Sequence, residues 1–292
     1  LRKINHCFTK HILDLQIKDT EVSEWQERLL LDNDRQPIDL THKVLVRIFT
    51  NNTFNEGGRF YRGWWQNVPK EYRQFITIDS KKVTEYDFSQ MNPNMIYDRY
   101  NQELGSEDAY SRVAGIEHRD VVKKAFNAMF QSKTNLDRKP DGIELDEIGM
   151  TWKELKEEIL KAHKPINDLF FKGLGNKLQF EDSCIAESVM LQFANSDAPA
   201  LPIHDSFIMH HGYGDKGGLE EAMRRAYFER FNSSLSEKRD LVEKVIHDKI
   251  RLDEDKKPIN NSDGTIKVDN IINSESEYSQ WRDRDRMWMS RK

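Results

Sequence analysis

The chain has 292 residues, of which 37% are hydrophobic and 33% charged, and a formal net charge of −5. That length suits one large domain or a core with appendages, and no apolar run approaches the roughly 20 residues that a membrane helix needs. The acidic balance argues against a protein that merely coats nucleic acid, but an acidic site facing a basic channel would sum to a similar charge.

The opening stretch LRKINHCFTKHILDL has no apolar segment followed by a small-residue cleavage site. The two cysteines, Cys7 and Cys184, are too few for a disulfide framework. Together these features predict a reduced, cytoplasmic setting. Residues 8–50 read as mostly helical, from the apolar spacing in FTKHILDL and WQERLLLDN. Residues 51–70 are rich in Asn, Gly and aromatics and predict an ordered loop. Within it, Trp64 and Trp65 either stack on bases or wedge under the loop.

Residues 75–88 predict two strands around a turn, FITID and VTEYDFS joined by SKK. Pro93 then fits the first turn of a helix. EHRDVVKKAFNAMFQ (117–131) predicts an amphipathic helix, and TWKELKEEILKAHKPINDLFF predicts one that runs to the Pro165 region. LQFEDSCIAESVMLQFAN (178–195) predicts another; Asp182 and Ser183 near its start either cap it or, with Gln179 and Glu187, form a polar face near a site. ALPIHDSFIMHH (200–211) alternates like a strand interrupted by a polar His-Asp-Ser. A final long helix follows Gly218. From about 250 the chain turns polar, which predicts a loosely attached tail.

Two carboxylates stand out. Asp87 ends an apolar strand, and Asp205 interrupts a strand-like run. A charge in such a segment is costly unless it is paired or binds a metal. Two strand-borne aspartates side by side would hold two divalent cations, and oxygen-only ligands suit magnesium, with manganese as a substitute. Taken singly, each Asp also fits an ordinary cap or turn. On the helix at 117–131, Arg119 and Lys123 are four apart and share a face, flanked by His118 and Lys124. Such a face suits triphosphate binding, or simply solvent. His204, His210 and His211 lack zinc-site spacing and a Cys partner.

In order, these pieces resemble the family A DNA polymerases and the related single-subunit RNA polymerases. GGRFYRGWWQNVP (57–69) looks like that group's Gly-Arg segment, and YDFSQMNPNMIY (86–97) like its motif A. RDVVKKAFNAMFQ (119–131) looks like motif B, and LPIHDSF (201–207) like motif C. The resemblance implies an α+β right-hand fold, with an antiparallel palm sheet, helical fingers and a reduced helical thumb or N-terminal region. It also implies the parts: a thumb-like 1–56, a catalytic core at 57–235, and a C-terminal helix and tail at 236–292.

The implied activity is template-directed nucleotidyl transfer to a primer 3′-hydroxyl. Asp87 and Asp205 would hold the metals and act in catalysis with Arg119 and Lys123. Arg119, Lys123, Lys124, Ser89, Gln90, Asn92 and Asn127 would line the nucleotide site. Arg59, Gln66, Asn67, Gln179 and His204 would contact the nucleic acid. The implied partners are primer–template, nucleoside triphosphates and accessory replication proteins, with no membrane.

The pattern also departs from the family. Asn92 stands where the DNA enzymes carry a Glu that excludes the ribose 2′-hydroxyl, and Ser206 makes motif C resemble the RNA enzymes. Asn127 and Gln131 stand where aromatic residues are usual. An RNA polymerase or primase is therefore an alternative product class. A catalytically inactive, nucleic-acid-binding relative is a third reading. The sequence has no exonuclease domain or long thumb, which predicts a minimal enzyme.

Overall fold

A computed structural model describes residues 1–17, 22–24, 27, 38–214, 217–232, 241–245, 249–250 and 268–269. They form an α+β protein built on an antiparallel sheet, with two compact units. The first unit comprises 1–14, 39–66 and 77–245, and the second 15–38, 67–76 and 246–292. Each of the three parts expected from the sequence contributes residues to both units.

In the first unit, helix α1 (Arg2–Lys10) buries Ile4, Cys7 and Phe8 on one face. The expected run of helix stops there. His11 is extended at the helix end, and the Asp79 carboxylate accepts hydrogen bonds from the backbone N–H of Ile12 at 2.9 Å and from the His11 ring at 2.6 Å. Beyond it the apolar pattern has period two: Leu13 and Leu15 are buried while Ile12 is 63% exposed. This makes strand β1 (Leu13–Leu15) rather than helix. Residues 46–49 are likewise extended, as strand β2 (Val46–Phe49), which pairs antiparallel with β3 (Gly57–Tyr61). The segment read as a loop therefore contains a strand, followed by a 3₁₀ turn at Trp64–Asn67. WQERLLLDN lies mostly outside the described residues.

The central strand is β5 (Lys81–Phe88), which follows β4 (Ile76–Ile78) through Asp79 and Ser80. Both turn residues have positive φ, 52° and 62°, the conformation that matches the twist of a tight hairpin. The sheet order is β1-β4-β5-β7-β6, with β8 (Val242–Lys244) also on β5. Strands β6 (Ala200–Ile203) and β7 (Ser206–His210) form a hairpin. The polar His-Asp-Ser is thus the hairpin turn and its exit, not an interruption within one strand.

Helix α2 (Met91–Arg99) follows β5, with Pro93 in its first turn. A short helix α3 (Ser111–Ala114) precedes α4 (Arg119–Gln131). Helix α5 (Trp152–Ala162) starts on a capping box between Thr151 and Glu154. Phe126, Phe130, Phe170 and His163 form an aromatic cluster here. The fully buried His163 bridges the Tyr97 hydroxyl and the Ala109 carbonyl, each at 3.0 Å.

Helix α6 (Gly175–Asn195) packs against β3, β6, α1 and α8 (Gly218–Phe231). It begins three residues earlier than expected, so Asp182 and Ser183 lie in mid-helix and cap nothing. The Ser183 hydroxyl instead donates to the Phe180 carbonyl at 2.8 Å. A short helix α7 (His211–Gly214) follows β7.

Among the described residues no helix is long and apolar enough to cross a membrane. The second unit includes a 3₁₀ segment, Lys70–Phe75, and an antiparallel pair, β9 (Lys249–Ile250) with β10 (Val268–Asp269). The rest of the expected tail, WRDRDRMWMSRK included, lies outside the described residues.

Candidate active site

Strand β5 brings the acidic groups together. Asp87 faces Ser206 across the β5–β7 ladder and Glu243 across the β5–β8 ladder. Directly opposed residues share a face with Cβ atoms ~5 Å apart. The Phe88 N–H donates to the Asp205 carbonyl at 3.2 Å, which ties the hairpin turn to the end of β5. Asp205 therefore sits beside Asp87. Glu85, two residues before Asp87, points to the same face and is 3% exposed. It accepts a hydrogen bond from the Ser206 hydroxyl at 2.8 Å.

These carboxylates perturb one another. Burial, then Asp205 and Glu85, push the Asp87 carboxyl up to about 7, with Lys123 pulling it down and Glu243 adding a smaller upward push. The buried Oδ1 of Asp87 has no hydrogen-bond partner among the described residues. Behind the pair lies Asp182, 2% exposed. Arg59 donates to it at 2.7 Å. Burial raises the Asp182 carboxyl, Arg59 lowers it and Asp205 raises it, leaving it at about 6. Burial works against the charge on Arg59, but Asp182 and Asp205 outweigh it and hold the guanidinium more firmly protonated.

The Arg59–Asp182 contact depends on Gly58, whose φ is +81°. A Cβ on Gly58 would lie 2.9 Å from the Ser183 hydroxyl. Only glycine lets β3 approach α6 this closely.

An orphaned buried carboxylate oxygen, four acids on one stretch of sheet and a donor set of oxygens fit a hard divalent cation. Asp87 and Asp205 could hold it, with Glu243 opposite Asp87. Lys123 is exposed on α4 and within electrostatic reach of Asp87. Arg119, one turn earlier, is held by Asp108 at 3.0 Å and lies 5.2 Å from the Tyr110 ring centre.

The other expected residues are more dispersed. The Lys124 ammonium donates to the Gly142 carbonyl at 3.0 Å. Ser89 is fixed through its N–H to the Leu241 carbonyl at 2.8 Å. Gln90 has a left-handed backbone, and its side chain accepts from the Ala109 N–H. Asn92 donates to Asn127 at 2.9 Å, joining α2 to α4.

Gln66 donates to the carbonyls of Phe60 and Pro202. Asn67 belongs to the second unit. Gln179 is half-buried on α6. His204 is exposed on the hairpin turn with φ 56° and borders a small recess shared with Arg59, Asp182 and Ser183. Trp64 and Trp65 are buried at 1% and 0% exposure, and Trp65 donates to the Pro202 carbonyl. They wedge the loop and have no free face for a base.

Sequence reasoning missed Glu85, Glu243 and Asp108. Glu85 was detectable, because residues i and i+2 of a strand share a face. Glu243 carried no local signal, since only the β5–β8 register brings it opposite Asp87.

No protein-family model matches the sequence, and no curated protein matches it. Among solved structures, the chain is similar to the POL domain of Pol1 from M. smegmatis in complex with DNA primer-template and dNTP. The identity is 13% and the TM-score 0.42, over 73% of this chain and 48% of that one. The chain thus spans about half the length of that structure.

Proposed function

We propose that the chain is a template-directed nucleotidyltransferase that extends a primer 3′-hydroxyl with nucleoside triphosphates. The observation that carries the reading is the juxtaposition of Asp87 with Asp205, which lies in the hairpin turn next to Ser206, the ladder partner of Asp87; a buried Asp87 oxygen also has no partner among the described residues. Two magnesium ions bound there would activate the attacking hydroxyl and stabilise the departing pyrophosphate.

The remaining roles fall to the protein's own groups. Asp87 and Asp205 would coordinate through carboxylate oxygens, Ser206 holds Glu85 in place, and Lys123 would hold the triphosphate from the α4 side. Asp108 keeps the Arg119 fork oriented until phosphate oxygens compete for it. Arg59 maintains the charge balance behind Asp205.

The test is primer extension with magnesium. Asp87→Ala or Asp205→Ala removes several kcal/mol of transition-state stabilisation, or roughly 10²–10³-fold in rate. Full activity in either variant would overturn the assignment.

A second reading keeps the chemistry and changes the sugar. The Asn92–Asn127 hydrogen bond favours it. Two small amides stand where, in the family that the motifs resemble, DNA-building members carry a Glu and an aromatic residue. On this reading ribonucleotides are incorporated alongside deoxynucleotides, and parallel extension assays with each distinguish the two.

A further inference from the structure

A second cluster of metal-binding groups lies away from the acidic site. Cys7 sits in the last turns of α1, His11 at that helix's end, and Asp197 in the turn between α6 and β6. One ligand atom from each lies within 4.8 Å of the others. We propose that Cys7, His11 and Asp197 form a binding site for a zinc-type transition-metal ion, independent of the polymerase reading.

Three observations support it. The first is the orientation of His11. Its Nδ1 meets the Asp79 carboxylate at 2.6 Å, and a carboxylate can only accept, so Nδ1 carries the proton. In the neutral ring the other nitrogen, Nε2, then presents a lone pair. A carboxylate behind a histidine in this way is the usual support of a zinc-bound imidazole.

The second observation is that Nε2 is buried and has no hydrogen-bond partner among the described residues. It lies 4.0 Å from the Asp197 Oδ1. Two electron-rich atoms face each other across a gap that suits a cation.

The third is the donor set. Zinc bonds of about 2.0–2.3 Å in a tetrahedron put ligand atoms roughly 3.3–3.8 Å apart. Side-chain rotation of about 1 Å therefore closes the cluster, and a fourth position remains for water. A sulfur, a nitrogen and a carboxylate oxygen suit zinc, whereas magnesium prefers oxygen alone. The bound ion would pin α1 to the turn that leads into β6, and so to the hairpin bearing Asp205.

The competitor is Lys10, whose ammonium lies 3.1 Å from the same Asp197 oxygen. That ion pair is solvent-exposed and weak. It also provides a test that loss of folding cannot mimic.

Full-length protein stripped of metal by chelator is titrated with cobalt(II), then zinc, monitoring thiolate-to-metal charge-transfer absorption and bound metal by elemental analysis. With magnesium in excess to fill the acidic site, wild type should bind one tight equivalent that carries the charge-transfer band. Cys7→Ser should lose the band, and Cys184→Ser should keep it. Asp79→Asn should weaken binding by about 10–100-fold, and Lys10→Met should tighten it. Asp87→Asn should leave the band unchanged. Absence of the band in folded wild type, or its loss in Cys184→Ser but not Cys7→Ser, would overturn the proposal. So would metal binding that is unchanged in both Cys7→Ser and Lys10→Met, which would put the ion elsewhere.

Discussion

Replacing Asp87 with Asn should stabilise the metal-free protein, and the gain should depend on pH. The folded carboxyl titrates at about 7 against an ordinary value of 3.8, a rise of about 3 units. Its folded-state value is raised, so this group's contribution is fully present below pH 3.8, where both states hold the proton. As pH rises, the unfolded chain gives up its proton first, and stability falls until the folded carboxyl also ionises near pH 7. At 1.36 kcal/mol per unit, the loss approaches about 4 kcal/mol. Asn has the same shape and does not titrate, so it escapes this loss. Urea unfolding with EDTA at pH 5 and pH 8 measures the difference. With a slope of about 2 kcal/mol per molar urea, the midpoint of Asp87→Asn should exceed that of wild type by roughly 2 M at pH 8 and by much less at pH 5. An equal difference at both pH values would refute the claim that burial and Asp205 destabilise the ionised Asp87.

Magnesium should offset much of the loss. At about 100 times its dissociation constant, it adds about 2.7 kcal/mol to wild type and little to Asp205→Asn, as thermal unfolding with and without the ion would show. Glu243→Gln should weaken magnesium binding and raise the metal concentration needed for half-maximal extension, because Glu243 faces Asp87 across the β5–β8 ladder. Burial first, and Arg112 second, lower the His163 imidazole from 6.5 to about 4, against a smaller upward pull from the Ala109 carbonyl. The unfolded chain therefore takes up the proton first, and stability should fall by about 3 kcal/mol as pH drops from 6.5 towards 4; His163→Gln should flatten this acid limb in urea unfolding. Gly58→Ala should cost roughly 1–3 kcal/mol, read as a lower unfolding midpoint, because it combines a positive φ with contact against Ser183.

The sequence was legible wherever the cost of a residue was local. Asp87 at the end of an apolar strand and the helix from Trp152 are signalled by neighbours within a few positions, whereas the turn expected at Ser80–Lys82 lies at Asp79–Ser80. Where partners come from another element, the signal was lost. FTKHILDL fits a helix pattern, and what ends α1 is an Asp79 carboxylate 67 residues away from Ile12. Asp182 and Ser183 look like caps because short Asp and Ser side chains compete for the helix backbone and favour N-cap positions. They are tolerated there because β2 and β3 supply Arg47 and Arg59, at 2.9 and 2.7 Å. Glu243 and Asp197 read as ordinary surface acids until register and turn geometry set them opposite Asp87 and His11. The acidic cluster at Asp87 thus follows one rule. The sequence exposes the residue that cannot be buried cheaply, and the strand pairing decides which second charge shares its site. The second acid makes cation binding favourable at Asp87, since one buried carboxylate would simply keep its proton, whereas several side by side can lower their mutual repulsion by taking up a divalent ion.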